Sequence, residues 1–434
     1  MALSKKPYKG CRDFFPKDMR VRNYLFQHME KTAEKFAFEP YDGPLLEEVD
    51  LYLAKSGEEL INEQIYSFTD RGNRIVAIRP EMTPTVARMV ANVHKEYSKP
   101  LRWYSIPNLM RYEKPQRGRV REHWQFNVDI FGAPENMGEI EILTLIIDFL
   151  KSFGANQSMF AILLNDRIVV DLLFNNLLNL GKEAAYKLYK IIDKAKKVSS
   201  EKLEQMISEV MPEKHKLDLF KSYLNLSSFD ELELFLKKNS LDQECLSFFN
   251  FAKLVKELGL SEYIKYDPTI VRGLDYYTGI VFEIFDKHPD NNRAIAGGGA
   301  YANLLKIFNE NPLPGVGFGL GDVTLRDFLE THDLLPDLSK AKNDIFVVYC
   351  DDECALEAMK LSQSLRQVEL KVEFNPAPLK FNKIVKQSEA KGHQYVAVVE
   401  KREGTFSVHV KNLTERANEN FSMSDILKIK EFLK

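Results

Sequence analysis

Charged and amide side chains are concentrated in one β-rich segment, "MRYEKPQRGRVREHWQFNVD". Arg111, Glu113 and Arg119 flank a polar turn, and Gln125 and Asp129 follow at even spacing on the next run. Residues separated by an even number of positions in a strand point to the same face. Arginine presents a planar fork of donors that fits phosphate oxygens, and a carboxylate near an amide suits an amine or an imidazole N–H. The segment could therefore hold nucleotide phosphates beside an amino acid.

The same pattern also fits a strand that faces solvent and carries cross-strand ion pairs. Such pairs contribute only about 0.2–1 kcal/mol each. Residue statistics alone favour this second interpretation, because charged side chains are mostly exposed. Evidence from other segments of the chain is needed to choose between a substrate site and a solvent-facing strand.

In two further segments, polar side chains crowd together where a strand would normally alternate apolar and polar residues. "RPEMT" contains Glu81 and Thr83, and "VRGLDYYTGIVFE" contains Arg272 with Tyr276 and Tyr277. Tyrosine hydroxyl groups can orient a polar ligand inside an otherwise apolar pocket. The second segment is predicted to be β-structure with one face packed and the other lining a site.

Glycines 297, 298 and 299 in "AIAGGGAY" predict a turn that leads into a helix at "AYANLLKIF". Glycine lets a backbone approach a ligand closely. A tight turn without any ligand fits the same three residues about equally well.

Common catalytic motifs are missing from the sequence. We find no G-x-S-x-G, H-E-x-x-H, C-x-x-C or P-loop pattern, and Val323 breaks the G-x-G-x-x-G spacing in "GFGLGD". The cysteines of "CDDEC" have no histidine near them and are interpreted as thiols at a strand end. The sequence therefore predicts neither a protein nucleophile nor a metal held by a protein motif.

Composition indicates a globular protein of several domains. The chain has 434 residues, of which 44% are hydrophobic and 28% charged, with a formal net charge of −3. Four scattered cysteines suit a reducing compartment. Because there is neither a signal segment nor an apolar run of about 18 residues, we expect a cytoplasmic protein that does not enter membranes. The small net charge neither indicates a nucleic-acid partner nor excludes one.

Composition changes along the chain predict three regions. The region from about 168 to 260 is rich in Leu, Lys and Glu and predicts an all-α insertion between two β-rich parts. A polar linker follows at 333–342. From 343 onward, strands alternate with helices, which predicts a separate α/β domain.

Taken in order, these segments resemble the histidyl-tRNA synthetase family of class II aminoacyl-tRNA synthetases. "GCRDFFP" is similar to the family's N-terminal segment, and "YDGPLLEE" resembles class II motif 1, with Pro44 at the motif's proline. "RPEMTPTVARM" and "RYEKPQRGRVREHWQFNVDIFG" look like the amino-acid loop and motif 2, and "PGVGFGLGD" resembles motif 3. "VRGLDYYTGIVFE" is similar to the segment that distinguishes histidyl enzymes, and the α/β tail resembles an anticodon-binding domain.

This resemblance implies an α+β fold. Residues 1–332 would form a class II catalytic domain, an antiparallel sheet flanked by helices, with the helical insertion at about 168–260. Residues 343–434 would form the anticodon-binding α/β domain after the linker at 333–342. Motif 1 implies a homodimer.

The resemblance also implies a reaction. Histidine would be activated by ATP to histidyl-adenylate and then transferred to the 3′ end of tRNA(His). The histidine-binding residues would be Glu81, Met82, Thr83, Gln125, Asp129, Tyr276 and Tyr277. Among them, Glu81, Thr83 and Gln125 would bind the α-amino group. Asp129 and Tyr277 would hold the imidazole, with Tyr276 beside them.

The implied catalytic residues are two arginines. Arg111 would grip the α-phosphate of ATP, and Arg272 would contact the phosphate and the histidine carboxylate from the other side. Glu113 and Arg119 would also bind ATP, which would arrive with Mg²⁺. Gln116 and Arg117 would meet the acceptor end of the tRNA.

The sequence departs from the commoner family forms at several positions. Ala300 and Ala302 replace an arginine and an aspartate after the glycines, and Thr324 stands where motif 3 usually has an arginine for the γ-phosphate. His123 or Trp124 occupies the position of the aromatic residue that stacks on adenine. These departures bear on the use of ATP more than on histidine recognition.

The alternative is a regulatory or accessory protein that resembles a histidyl synthetase and binds histidine without charging tRNA. Relatives of this kind serve histidine biosynthesis, and they generally lack the anticodon domain and have lost residues of the RGLDYY segment. This chain retains both features. The sequence therefore favours the enzyme.

Overall fold

A computed structural model of the chain describes residues 3–53, 64–195, 198–271, 276–339 and 343–433. The chain divides into two compact units. The first unit comprises Met1–Asp13 and Arg22–Pro336, and the second comprises Phe14–Val21 and Asp337–Lys434. The domain boundaries predicted from the sequence stay predictions.

Seventeen strands are found in the described residues. In chain order they are β1 Glu39–Pro40, β2 Leu46–Glu48, β3 Tyr66–Thr69, β4 Ile75–Ile78, β5 Leu101–Ser105, β6 Asn108–Met110, β7 Glu122–Phe131, β8 Phe160–Asp166, β9 Ile264–Tyr266, β10 Ile280–Asp286, β11 Ala294–Tyr301, β12 Gly315–Gly321, β13 Ile345–Tyr349, β14 Val372–Phe374, β15 Tyr395–Arg402, β16 Thr405–Asn412 and β17 Asn418–Ser422.

The described residues also contain fourteen α-helices. They are α1 Pro16–Lys35, α2 Asp50–Leu53, α3 Thr83–Val93, α4 Met137–Lys151, α5 Arg167–Leu172, α6 Lys182–Ile192, α7 Ser200–Val210, α8 Lys214–Leu224, α9 Phe229–Lys238, α10 Leu246–Glu257, α11 Asp322–Thr331, α12 Ala355–Gln367, α13 Phe381–Lys391 and α14 Ile426–Phe432. No helix among them is long and apolar enough to cross a lipid bilayer.

The first unit is built on a large, mainly antiparallel sheet in the order β1-β5-β7-β12-β11-β10-β8-β9, with β6 paired to β7. Only the outermost described pairs, β1 with β5 and β8 with β9, are parallel. Helix α4 is apolar on most of its surface, and its buried residues join those of β7 and β12 in one hydrophobic core. This packing leaves the other face of the central strands available for polar residues.

One strand of this sheet was predicted incorrectly. "AIAGGGAY" forms strand β11 between β10 and β12, whereas we expected a turn that opens a helix. The expected helix is only a 3₁₀ segment, Leu304–Phe308. Glycine disfavours strands when it is considered alone, but two strand neighbours supply the hydrogen bonds that hold β11 in place.

The region at about 168–260, which the sequence predicts to be helical, consists of helices in its described residues. The described part of residues 167–262 contains α5 to α10 with short π and 3₁₀ segments, and it contains no strand. Its helices bury residues such as Phe220 and Phe251 in the core of the first unit. The side-chain nitrogen of Asn165 on β8 also donates a hydrogen bond of 3.1 Å to the hydroxyl of Tyr223 on α8.

A separate small sheet of the first unit has the order β2-β4-β3. It carries apolar side chains that are largely exposed in the single chain. Leu46 is 45% exposed, Phe68 48% and Ile75 56%.

The second unit has the α/β pattern predicted from the alternating elements. Its sheet has the order β14-β13-β15-β16-β17, with β13 parallel to both β14 and β15 and the remaining pairs antiparallel. Successive residues of β13 point to opposite faces. Ile345 and Val347 pack in a cluster that includes residues of α12 and α14, while Phe346 and Val348 pack with Ile384 of α13.

Candidate active site

Glycines form the floor of a polar depression on the large sheet. The register places Asp129 of β7 opposite Gly317 of β12, Gly317 opposite Gly299 of β11, and Gly299 opposite Val281 of β10. Two strands thus contribute no side chain between Asp129 and β10. The absence of these side chains creates room above the backbone.

The glycines of β12 leave space for side chains of β7 that lie directly over their Cα atoms. A Cβ atom at Gly317 would lie 2.2 Å from Asp129 Oδ1 and 2.6 Å from the carbonyl oxygen of Val128. A Cβ atom at Gly319 would lie 2.6 Å from the side-chain amide of Gln125. The even spacing of Gln125 and Asp129 on β7 therefore does place both residues at one surface, as predicted.

Asp129 is held in this depression by Tyr301, which follows the glycines of β11. The hydroxyl group of Tyr301 donates a hydrogen bond to Asp129 Oδ1. Only 4% of Asp129 is exposed, and burial raises the pKa of its carboxyl to about 7, while the bond from Tyr301 opposes that rise. The pocket therefore contains an acceptor that gains from a hydrogen-bond donor or a positive charge.

Aromatic rings connect Asp129 to Glu81. The hydroxyl of Tyr276 donates to Glu81 Oε2 at 3.3 Å, and its ring lies 4.8 Å from that of Tyr277. The ring of Tyr277 lies 6.4 Å from that of Tyr301, the partner of Asp129. Glu81, Tyr276, Tyr277 and Asp129, which the resemblance assigns to histidine binding, thus belong to one largely buried cluster of neighbouring side chains.

Two neighbours of Glu81 complete this side of the pocket. Thr83 begins α3 and interacts through its side chain with the hydroxyl of Tyr276. Met82 is 1% exposed, and its sulfur lies 4.0 Å from a guanidinium nitrogen of Arg79. Met82 therefore packs beneath the loop that presents Glu81.

An arginine-lined cavity of about 200 Å³ lies over the same sheet. It contains four of the residues predicted to bind substrates, together with residues of β10, β11, β12 and α11. The lining residues are Arg111, Glu113, Gly118, Arg119, Val120, His123, Gln125, Glu283, Ala294, Ile295, Ala296, Gly297, Gly319, Gly321, Val323 and Thr324.

Its arginines are positioned by neighbouring groups. Arg111 Nε donates to the carbonyl oxygen of Pro80 at 2.8 Å, and Arg119 forms an ion pair with the buried carboxylate of Glu113. Gln116 and Arg119 exchange backbone hydrogen bonds of 3.0 and 2.9 Å, which close the turn that carries Arg117. The predicted loop residues Gln116 and Arg117 therefore stand at the rim of the arginine cluster.

His123 contributes a neutral ring to this cavity. Burial lowers the pKa of His123 to about 3, and the positive charges of Arg111 and Arg12 act in the same direction. An uncharged aromatic ring is suited to stacking on a purine. Trp124, the alternative from the sequence, lies instead under the guanidinium of Arg22, whose carbon is 4.6 Å from the ring centroid.

The predicted catalytic residue Arg272 lies outside the described residues. The tyrosines of the same segment differ from expectation in one respect. Tyr276 and Tyr277 precede β10, which begins at Ile280, so they are not residues of a strand. Their rings nevertheless line the pocket.

Sequence reasoning missed two residues of the site. Tyr301 attracted no attention as a partner of Asp129, although it lies two positions after Gly299 and hence on the same face of a strand. Glu283 of β10 was missed too, and the register places it opposite Gly297. Both assignments require the order of strands, which a single sequence does not provide.

Among the described residues, no group of three or more His, Cys, Asp or Glu side chains is arranged to hold a metal ion. A partly buried ion pair joins Arg12 of the N-terminal segment to Asp322, the first residue of α11. Arg12 donates to Asp322 Oδ2 at 2.8 Å, and Asp322 Oδ1 accepts from the backbone N–H of Trp124 at 2.9 Å. These contacts position α11 beside the arginine-lined cavity.

Comparison with known proteins gives matches over both units. The family model "Histidyl-tRNA synthetase" matches residues 10–324, and "Anticodon binding domain" matches residues 344–431. The chain is 41% identical to a histidine–tRNA ligase of Leptospira biflexa, with 99% of this chain and 98% of the relative covered. A histidine–tRNA ligase of Thermoplasma volcanium is 35% identical, with 96% of each chain covered.

Solved structures agree with the fold. The histidyl-tRNA synthetase from Nostoc sp. PCC 7120 is 21% identical and superposes with a TM-score of 0.82 over 99% of this chain and 100% of that one. A protein from Bacillus halodurans, described as an ATP phosphoribosyltransferase regulatory subunit/histidyl-tRNA synthetase, gives 0.75 at 20% identity, with coverage of 92% and 99%. These similarities support the predicted class II fold, and together with the family models and relatives they show that the chain belongs to the histidyl-tRNA synthetase family.

Proposed function

We propose that this chain activates L-histidine with ATP to form histidyl-adenylate and pyrophosphate. It then transfers the histidyl group to a terminal ribose hydroxyl at the 3′ end of tRNA(His), and AMP leaves. The relatives from Leptospira biflexa and Thermoplasma volcanium are named as histidine–tRNA ligases, the enzymes that carry out this reaction. The observation that supports this assignment is that the proposed histidine site and the proposed ATP site lie side by side on the large sheet. The buried Asp129 lies on the same strand as Gln125, which lines the cavity that contains Arg111 and Arg119.

In the amino-acid pocket, Asp129 and Tyr277 bind the imidazole nitrogens, with Tyr276 beside them. Glu81, Thr83 and Gln125 bind the α-amino group, and Met82 supports their loop. A site built to hydrogen-bond its substrate discriminates strongly, because an analogue without the donor leaves buried groups unpaired. Asp129 is such a group, since it is buried and accepts a hydrogen bond from the hydroxyl of Tyr301.

Arg111 and Arg272 carry the activation step in this proposal. The histidine carboxylate attacks the α-phosphate of ATP, a new C(O)–O–P bond forms, and the bond to pyrophosphate breaks. Arg111 stabilises the negative charge on the α-phosphate, and Arg272 contacts the phosphate and the attacking carboxylate. Glu113 and Arg119 bind ATP as an ion pair. Positioning and electrostatic stabilisation are sufficient for such an in-line displacement, which needs no protein nucleophile.

ATP would enter with Mg²⁺. Magnesium prefers oxygen ligands and is commonly held by one or two carboxylates together with substrate phosphates. Glu283 lines the cavity with a carboxylate of this kind and would hold the ion together with the phosphates of ATP. Magnesium supplies partial neutralisation of the phosphate charge.

The transfer step requires the tRNA to reach the same site. Gln116 and Arg117, at the rim turn, contact the acceptor end, and the α/β domain at 343–434 contacts the anticodon. The domain division is 1–332 for the catalytic domain, with its helical insertion at about 168–260, and 333–342 for the linker. The enzyme acts in the cytoplasm as a homodimer, in line with the exposed apolar residues Leu46, Phe68 and Ile75 of the small sheet.

Histidine-dependent ATP–pyrophosphate exchange tests the proposal. We expect exchange with histidine at saturating ATP and magnesium, and no exchange when histidine is omitted. A chain that binds histidine but gives no exchange would fit the regulatory alternative instead. A second assay with Arg272→Ala, compared with wild type after a check of folding by thermal melting, should show greatly reduced exchange.

A further inference from the structure

A second cavity of about 160 Å³ adjoins the arginine-lined cavity. The two cavities share three lining residues, Gly118, Ile295 and Thr324. The second cavity also contains Arg117 of the rim turn and Arg293, the residue immediately before β11. Two guanidinium groups, together with the carboxylates of Asp286, Asp290 and Asp327, therefore line a cavity next to the compartment assigned to ATP.

Arg293 lies at the junction of the two cavities. A Cβ atom built on Gly118 would be 2.9 Å from Arg293 Cδ, 3.7 Å from Arg293 Nε and 3.5 Å from Thr324 Cγ2. Gly118 has a φ of +70°, so the turn itself favours glycine, and the absence of a side chain there makes room for Arg293. The arginine stem thus packs against the turn of motif 2, beside Thr324.

The loop that carries Arg293 is anchored on both sides. Asn291 Nδ2 donates to Asp286 Oδ2 at 2.6 Å and to Thr331 Oγ1 at 3.0 Å, and Asn291 Oδ1 accepts from Arg117 at 3.0 Å. Asp286 is buried and also bonds to His332 at 2.8 Å. Because one amide links β10, α11 and the rim turn, the position of the following Arg293 is fixed by the fold.

Thr324 provides no charge at this junction. Its hydroxyl lies 3.1 Å from the carbonyl oxygen of Ile295 and 3.3 Å from that of Gly321, and it can donate to either. Arg326, two positions later on α11, forms an ion pair with Glu330 at 2.7 Å and does not line either cavity. Among the residues that line the second cavity with Thr324, positive charge is supplied by Arg117 of the rim turn and by Arg293 of the loop before β11.

We propose that Arg293 binds the terminal phosphates of ATP, and the pyrophosphate that leaves, from the junction beside Thr324. This assignment rests on the proposed function, because it requires the nucleotide to occupy the arginine-lined cavity. A guanidinium group matches phosphate oxygens in shape and keeps its charge at all physiological pH values.

Comparison of ATP with AMP tests the role of Arg293, because AMP lacks the phosphates in question. Equilibrium binding of both nucleotides to the full chain would be measured by calorimetry with magnesium. We expect Arg293→Ala to weaken ATP binding about 10- to 100-fold, as expected for loss of a charge-assisted hydrogen bond, and to leave AMP binding unchanged. Arg293→Lys keeps the charge and should lose less.

Arg326→Ala is the matched control, since it removes an arginine from the adjacent helix without touching either cavity, and it should bind both nucleotides like wild type. Unchanged ATP binding in Arg293→Ala, or an equal loss for ATP and AMP, would overturn the assignment. The proposed function fails by a different result, namely the absence of histidine-dependent exchange in the wild-type chain.

Discussion

At the scale of single residues, the site depends on a carboxylate that burial makes reluctant to ionise. Asp129 could be selected from the sequence because its even spacing from Gln125 indicated a shared face. Its partner Tyr301 could not be selected, because β12 lies between the two strands and strand order is a property of the fold. The same limitation hid Arg293, whose neighbour Gly118 is distant in sequence.

The raised pKa of Asp129 has a consequence for stability. An unfolded aspartate titrates near 3.9, whereas burial raises the pKa of Asp129 to about 7 in the folded chain. Its contribution to the free energy of unfolding is therefore fully present below about 3.9 and is lost as pH rises to about 7. In the wild-type chain, this titration should lower the free energy of unfolding by about 1.4 kcal/mol for each pH unit between pH 5 and 7. We expect Asp129→Asn to lose this slope, as measured by urea unfolding at several pH values.

Asp166 offers a matched control, because burial raises its pKa to about 7 too while it caps helix α5. Asp166→Asn should remove a similar slope and leave histidine binding intact. Asp129→Asn should weaken histidine binding about 10- to 100-fold at pH 8. Equal effects of the two variants on histidine affinity would contradict the assignment of Asp129 to the imidazole.

At the scale of elements, two glycine-rich strands form the floor of the site. β12 could be predicted as a strand of small residues, whereas β11 was mistaken for a turn because three successive glycines favour turns locally. Pairing with β10 and β12 overrides this preference. The helices of 167–262 and the alternating elements after 343 were predicted correctly, because their periodicity is local. Strand β17 was missed, since four of its five residues are exposed and no apolar alternation marks it.

Gly317→Ala tests the requirement for this bare floor. The added methyl group would meet both the Asp129 carboxylate and the backbone of Val128, so one of them has to move. We expect a loss of about 1–3 kcal/mol in the free energy of unfolding, typical of overpacking, together with weaker histidine binding. Urea unfolding and calorimetry would measure the two effects.

Gly181→Ala is the corresponding control, because a Cβ atom there would meet nothing within 4 Å and its φ is −69°. Gly181 is the N-cap of α6, where alanine caps less well than glycine, so the free energy of unfolding of this variant should fall by no more than about 1 kcal/mol. If Gly317→Ala behaved in the same way, the close approach of Asp129 to β12 would not be a constraint on the site.

At the scale of the whole molecule, the exposed apolar residues of the small sheet suit burial against a second copy of the chain. We expect sedimentation to give twice the chain mass of 50.2 kDa. Phe68→Asp should shift the population toward the single-chain mass, because a buried charge without a partner is costly. Leu234→Asp changes a residue that is 68% exposed on α9 and should leave the mass unchanged. A wild-type chain that sediments at the single-chain mass would exclude the dimer.

Aminoacylation is the measurement that tests the central claim most directly, because it requires both substrate sites and a tRNA in one reaction. The wild-type chain would be incubated with radiolabelled histidine, ATP, magnesium and a tRNA(His) transcript, with a second tRNA as the control. We predict ATP-dependent attachment of histidine to tRNA(His) alone. Histidine binding without charged tRNA(His), at saturating ATP and magnesium, would contradict the account.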